Sequence, residues 1–136
     1  MSKEEIKMFK LVLKRDYPFL LYKIEDIRND IELLYHRMSG DKAIIYGEIK
    51  GTTNQQAIEE YKLDLSEEIA YAEMQMNIYQ ARLDDIIKVL DKLQDYDREM
   101  FELKYRKHKS LYEIGKIYYL SASAISKRMN KALEEI

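Results

Sequence analysis

The side chains best placed to do chemistry lie near the end of the chain. Ser123, Ser126, Lys127 and Asn130 recur at steps of three, one and three, so on a helix they share one side. Ser and Asn can hydrogen-bond the edges of bases, and Lys127 can reach guanine acceptors or a phosphate. Ser121 and Ser123, near the start of the same segment, can help to bind phosphate. Lys107, Lys109, Lys116, Arg128 and Lys131 are basic side chains of the same stretch and the candidates for backbone contacts, which give affinity and salt dependence rather than sequence choice.

Other chemistries find little support. There is no Cys, so disulfides, thiolate metal sites and Cys nucleophiles are excluded. The two His, His36 and His108, read as surface residues, with no Glu-x-x-His pair and no metal site. Glu59-Glu60, Glu67-Glu68, Asp84-Asp85 and Glu134-Glu135 are neighbours that point about 100° apart on a helix, which reads as a solvated face. No Gly-rich phosphate loop is present. The expectation is a protein that is not an enzyme and needs no cofactor.

The charge distribution agrees with the position of the polar cluster. The 136 residues sum to -2, but residues 98–136 hold nine basic and five acidic side chains and stand at +4, leaving -6 for the rest. A local basic excess on an acidic body is the footprint of a DNA-contacting module. With no apolar run near the roughly 18 residues of a membrane span, the chain reads as soluble, with no membrane partner. Ser2-Lys3-Glu4-Glu5 leads into a charged periodic segment, so no signal peptide is expected.

The elements that must position these residues are helical. One Pro and four Gly in 136 residues, with 35% charged side chains, predict long amphipathic helices. Ser2 and Glu5 form a capping box, followed by Ile6, Phe9, Val12 and Leu13 at helical spacing. Asp16 and Pro18 predict a break or kink after a short helix to about Arg15. A second helix then carries Ile24, Ile27, Ile31, Leu34 and Met38 and ends near Ser39-Gly40. Residues 39–53 hold three glycines and read as a loop, in which Ala43-Ile44-Ile45-Tyr46 forms an extended turn or short strand. Thr53 and Gln56 make a second capping box.

The third helix, expected over 54–95, has the strongest pattern. Leu65, Ile69, Ala72, Met76, Tyr79, Leu83, Ile86, Leu90 and Leu93 form a heptad seam. A second helix about half as long cannot cover all of it; the rest must meet the first helix, the C-terminal module or another subunit, and a homo-oligomer, most simply a dimer, is the expectation.

Residues 97–136 read as a helix-turn-helix. The first helix, 97–105, turns Met100, Phe101 and either Leu103 or Tyr105 inward. After a basic connector, Ser110 and Glu113 cap a helix over 111–118 that buries Leu111, Ile114 and Ile117. Tyr119-Leu120 forms the turn, with Leu120 in the wedge, and Ser121 caps the last helix. That helix turns Ala122, Ile125, Met129, Ala132 or Leu133, and Ile136 inward. Gly115 stands where two steeply crossing helices need a small residue. The domains are then 1–96, a helical hairpin for oligomerisation, and 97–136, the helix-turn-helix. The fold class is all-α.

The runs Phe101-Glu102-Leu103-Lys104-Tyr105, Ser110 to Gly115, Leu120 to Arg128 and Lys131-Ala132-Leu133 resemble region 4 of the sigma-70 class of sigma factors. With an acidic helical hairpin in front, the chain is similar to small phage and prophage regulators of the ArpU and RinA type. Two positions depart from the pattern: Gly115 where the family usually has Ala, and Tyr119 where a Gly commonly sits. No sigma region 2 is evident. The resemblance implies that the last helix, 122–135, enters the major groove of double-stranded DNA. It also implies a phage-type regulator of late-gene or similar promoters, a contact with RNA polymerase, and the cytoplasm of a bacterial host. Two alternatives stay open. One is a DNA-packaging adaptor of the small-terminase type; the other is an interaction protein whose acidic hairpin binds a repressor.

Overall fold

The computed structural model describes residues 1–39 and 55–136. Among them every regular element is helical. Helix α1 spans Lys3–Ser39, α2 Gln55–Leu90 and α3 Asp95–Phe101, which continues into a π-helical turn, Glu102–Arg106; α4 spans Leu111–Tyr118 and α5 Ala122–Glu134. The all-α expectation, with long N-terminal helices ahead of a helix-turn-helix, is borne out. Most of the loop expected over 39–53, and Thr53 of the second capping box, lie outside the described residues.

Helix α1 begins as its sequence dictates. The Ser2 hydroxyl accepts from the Glu5 amide at 3.2 Å while the Glu5 carboxylate accepts from the Ser2 amide at the same distance. These bonds favour the charged carboxylate and hold Glu5 below its ordinary value.

The break expected at Pro18 is not there. A single helix of 37 residues runs straight through it. The reason is a seam that never changes register: Ile6, Leu13, Tyr17, Leu20, Ile24, Ile27 and Ile31 are all buried, at steps of seven, four, three, four, three and four. Burial on both sides of the proline outweighs the missing N–H and the ring's crowding of Lys14.

Helix α2 runs for 36 residues and buries Leu65, Ile69, Leu83, Ile86 and Leu90 of the expected seam, with Leu93 buried in the turn beyond. Since α1 has 37 residues, the length mismatch from which an oligomer was expected does not exist. A different feature of α2 bears on association. Leu63, Tyr71, Met74 and Ile78 are all more than half exposed. On a helical wheel they fall within an arc of about 80° on the side opposite the seam.

Two compact units are distinguished, and the first crosses the boundary expected at residue 97. It joins Met1–Leu21 to Ala81–Ile136; the second is Tyr22–Gln80. In the second unit Ile24, Ile27 and Ile31 of α1 are buried, as are Leu65 and Ile69 of α2, and the Tyr35 hydroxyl donates to Glu73 at 2.7 Å. In the first, the fully enclosed side chains are Leu13, Leu20, Leu90, Met100, Phe101, Ile114, Ile125 and Leu133. The N-terminal turns of α1 are thus part of the core on which the C-terminal helices sit.

Candidate nucleic-acid interface

Three local devices set the position of α5. The first is the π-helical turn. On a helix Leu103 and Tyr105 point about 160° apart. Both side chains are nevertheless buried, in a turn that the Lys107 amide closes by donating to the Glu102 carbonyl at 3.0 Å. Tyr105 stacks on Phe101 with ring centres 6.0 Å apart.

The second device is a pair of serine caps. The Ser110 hydroxyl accepts from the Glu113 amide at 3.1 Å, and that of Ser121 accepts from the Ala124 amide at the same distance. Both were expected, and they fix where α4 and α5 begin.

The third is the crossing itself. Tyr119 adopts the left-handed conformation at φ 59°, and the Leu120 amide then donates to the Gly115 carbonyl at 2.9 Å. That bend lays the Leu120 carbonyl directly against Gly115, where a Cβ would overlap it. The small residue is required by backbone, not by a side chain. The Leu120 side chain does not fill the wedge as expected, and Ile117 is not buried as expected; they are 39% and 49% exposed. Helix α4 packs through Leu111, Ile114, Gly115 and Tyr118, an i, i+3, i+4, i+7 stripe that leaves Ile117 well to one side. Tyr118 meets Tyr96 edge to face, ring centres 4.7 Å apart.

Helix α5 buries Ile125, Met129, Ala132 and Leu133. The four base-contact candidates fall within an arc of about 100° that adjoins this buried side. Ser123 and Lys127 are exposed there and Ser126 is half-buried. Asn130 is half-buried and its side-chain oxygen accepts from the Lys10 ammonium of α1. Its side-chain oxygen is therefore already engaged, and the rest of the stripe is Ser123, Ser126 and Lys127.

The backbone candidates divide in the same way. Lys107 and Lys131 are exposed with no ion pair among the described residues. Lys109 lies 3.7 Å from Glu113, and Lys116 sits over the Tyr112 ring at 4.6 Å. Arg128 donates to Asp97 at 2.9 Å and covers the Tyr96 ring at 4.4 Å, so it ties α5 to the start of α3. The Ser121 hydroxyl is taken up as an acceptor by its cap.

Lys7, Lys10 and Lys14 were missed. The signal was present: they stand three and four residues apart on one face of α1, and residues 1–21 hold five basic against three acidic side chains. Counting them within an acidic body concealed them.

Comparison with known proteins agrees with the geometry. Residues 89–136 match the family model described as sigma-70, region 4. No curated protein and no solved structure matches the chain. The C-terminal segment is thus a DNA-binding helix-turn-helix of the sigma-70 region 4 kind, in keeping with a role in transcription regulation. The match spans the last 48 residues and stops short of α1, which helps to enclose the same core. Among the described residues, no helix is long and apolar enough to cross a membrane.

Proposed function

We propose that the chain is a sequence-specific DNA-binding transcriptional regulator of the phage type, without catalytic activity of its own. It acts on late-gene promoters as an activator in the cytoplasm of a bacterial host. The observation that carries this reading is the stripe of Ser123, Ser126 and Lys127 on a capped helix that is anchored by buried Ile125, Met129, Ala132 and Leu133. That is the arrangement with which a recognition helix enters the major groove. The sigma-like pattern supports a contact with RNA polymerase. The exposed stripe of Leu63, Tyr71, Met74 and Ile78 supports a homodimer, since apolar surface of this kind favours a partner.

The test begins with selection of bound sites from random duplex DNA by the whole protein. A defined site is expected. Ser123→Ala combined with Lys127→Ala is expected to abolish preference for that site in gel-shift assays, with helical circular dichroism unchanged. Failure of the parent protein to bind any duplex at low salt would overturn the reading. A ring of about eight or more subunits in sedimentation would instead favour a packaging adaptor.

A further inference from the structure

A cleft of about 760 Å³ lies within the first unit, between the N-terminal turns of α1 and the connector leading into α4. Lys7, Lys10 and Lys14 line it from one side, Lys104 from the other. Lys109 also reaches it but has Glu113 as a partner. Among the described residues, none of the other four lysines has a carboxylate partner. Lys10 and Lys104 repel each other, as do Lys104 and Lys14. Partial burial first, and this repulsion second, hold Lys10 and Lys104 below the ordinary lysine value. Such a cluster costs stability in the free protein, and a bound anion would relieve that cost.

The position of the cluster points to the anion. Lys10 donates to Asn130, which belongs to the same stripe of α5 as Ser123 and Lys127. The lysines therefore begin where the reading stripe ends. From Lys7 to Lys14 the helix rises about 10 Å, over which one DNA strand presents about three phosphates.

We propose that Lys7, Lys10 and Lys14, together with Lys104, form a second contact with the DNA backbone, gripping phosphates that flank the site read by α5. This rests on the DNA-binding reading above and extends it. The functional DNA-binding unit is then α1's first turns plus the helix-turn-helix, not the helix-turn-helix alone.

The experiment measures affinity of the full chain for its selected site and for an unrelated duplex across a salt series. The parent is compared with a Lys7→Gln, Lys10→Gln, Lys14→Gln triple variant and with Lys104→Gln alone. The triple variant is expected to bind both duplexes roughly tenfold or more weakly, with its preference between them unchanged. Its plot of log affinity against log salt should be shallower by about 0.9 for each phosphate no longer neutralised, and that of Lys104→Gln by about 0.9. Lys104→Gln keeps the test valid should the triple variant fold poorly by circular dichroism. Parent-like slopes in both variants would overturn the proposal while leaving the recognition helix intact. They would leave the cleft, which Met8 and Leu11 also line, open to another anionic partner such as an acidic helix of a protein. Weakening confined to the selected site would overturn the backbone role. Absence of DNA binding by the parent would overturn this proposal and the functional reading together.

Discussion

The carbonyl oxygen of Leu120 occupies the space that a Cβ on Gly115 would need. The carbonyl carbon lies only 3.4 Å from the same point, so the obstacle is rigid backbone. Gly115→Ala improves helix propensity by about 1 kcal/mol, but forcing α4 and the turn apart costs about 1–3 kcal/mol. The expected outcome is a net loss of stability in urea denaturation, together with weaker selective DNA binding, because α5 is displaced. A stabilised variant with unchanged binding would show that the crossing has slack.

Tyr119 is the counterpart of this glycine. It holds φ 59° and is 95% exposed, so its side chain gains almost no packing in return for the left-handed backbone. Tyr119→Gly is expected to stabilise the fold by about 0.5–1 kcal/mol, less than the full conformational relief because glycine also frees the unfolded chain. A thermal melt checks it. A lower melting temperature would mean that the ring, not the backbone, matters at this position.

These two residues also show what sequence pattern can and cannot convey. Ser110, Ser121, Ile125 and Gly115 were legible because each acts through local spacing and residue type. The wedge was not, since it is made of the Leu120 main chain, which carries no sequence signal. Leu103 and Tyr105 are both buried, which a pattern with a single inward face does not allow for. Asn130 and Arg128 looked free because Lys10 and Asp97 lie 120 and 31 residues away in the chain. Their partners are set by tertiary packing, which periodicity within one helix does not encode.

Pro18 sits inside α1 and removes one helical hydrogen bond to Lys14. Since Tyr17 and Leu20 beside it are buried, the helix is held by packing against its own local preference. Pro18→Ala should restore the bond and stabilise the fold by about 1–3 kcal/mol, read as a higher urea midpoint at unchanged slope. No gain would mean that α1 has adapted to the proline by a local change that alanine does not reverse.

Tyr17 makes stability depend on alkaline pH. It is 3% exposed and its hydroxyl donates to the Glu102 carboxylate at 2.7 Å, with Arg106 3.7 Å from the other carboxylate oxygen. Burial above all, then the bond to Glu102, raises the hydroxyl well above its ordinary value. The unfolded chain gives up this proton near pH 10, whereas the folded protein keeps it. The contribution is therefore fully present below about pH 10 and is lost as pH rises beyond it toward the folded value. Lys10 and Lys104, held low, act in the opposite sense up to about pH 10.5, so the informative comparison is with a variant lacking only the hydroxyl. Tyr17→Phe is expected to lose about 1–2 kcal/mol at neutral pH and to show a flatter decline above pH 10. Some decline remains, because burial raises Tyr105 in the same direction. Parallel pH profiles for parent and variant would remove Tyr17 as the source of the alkaline sensitivity.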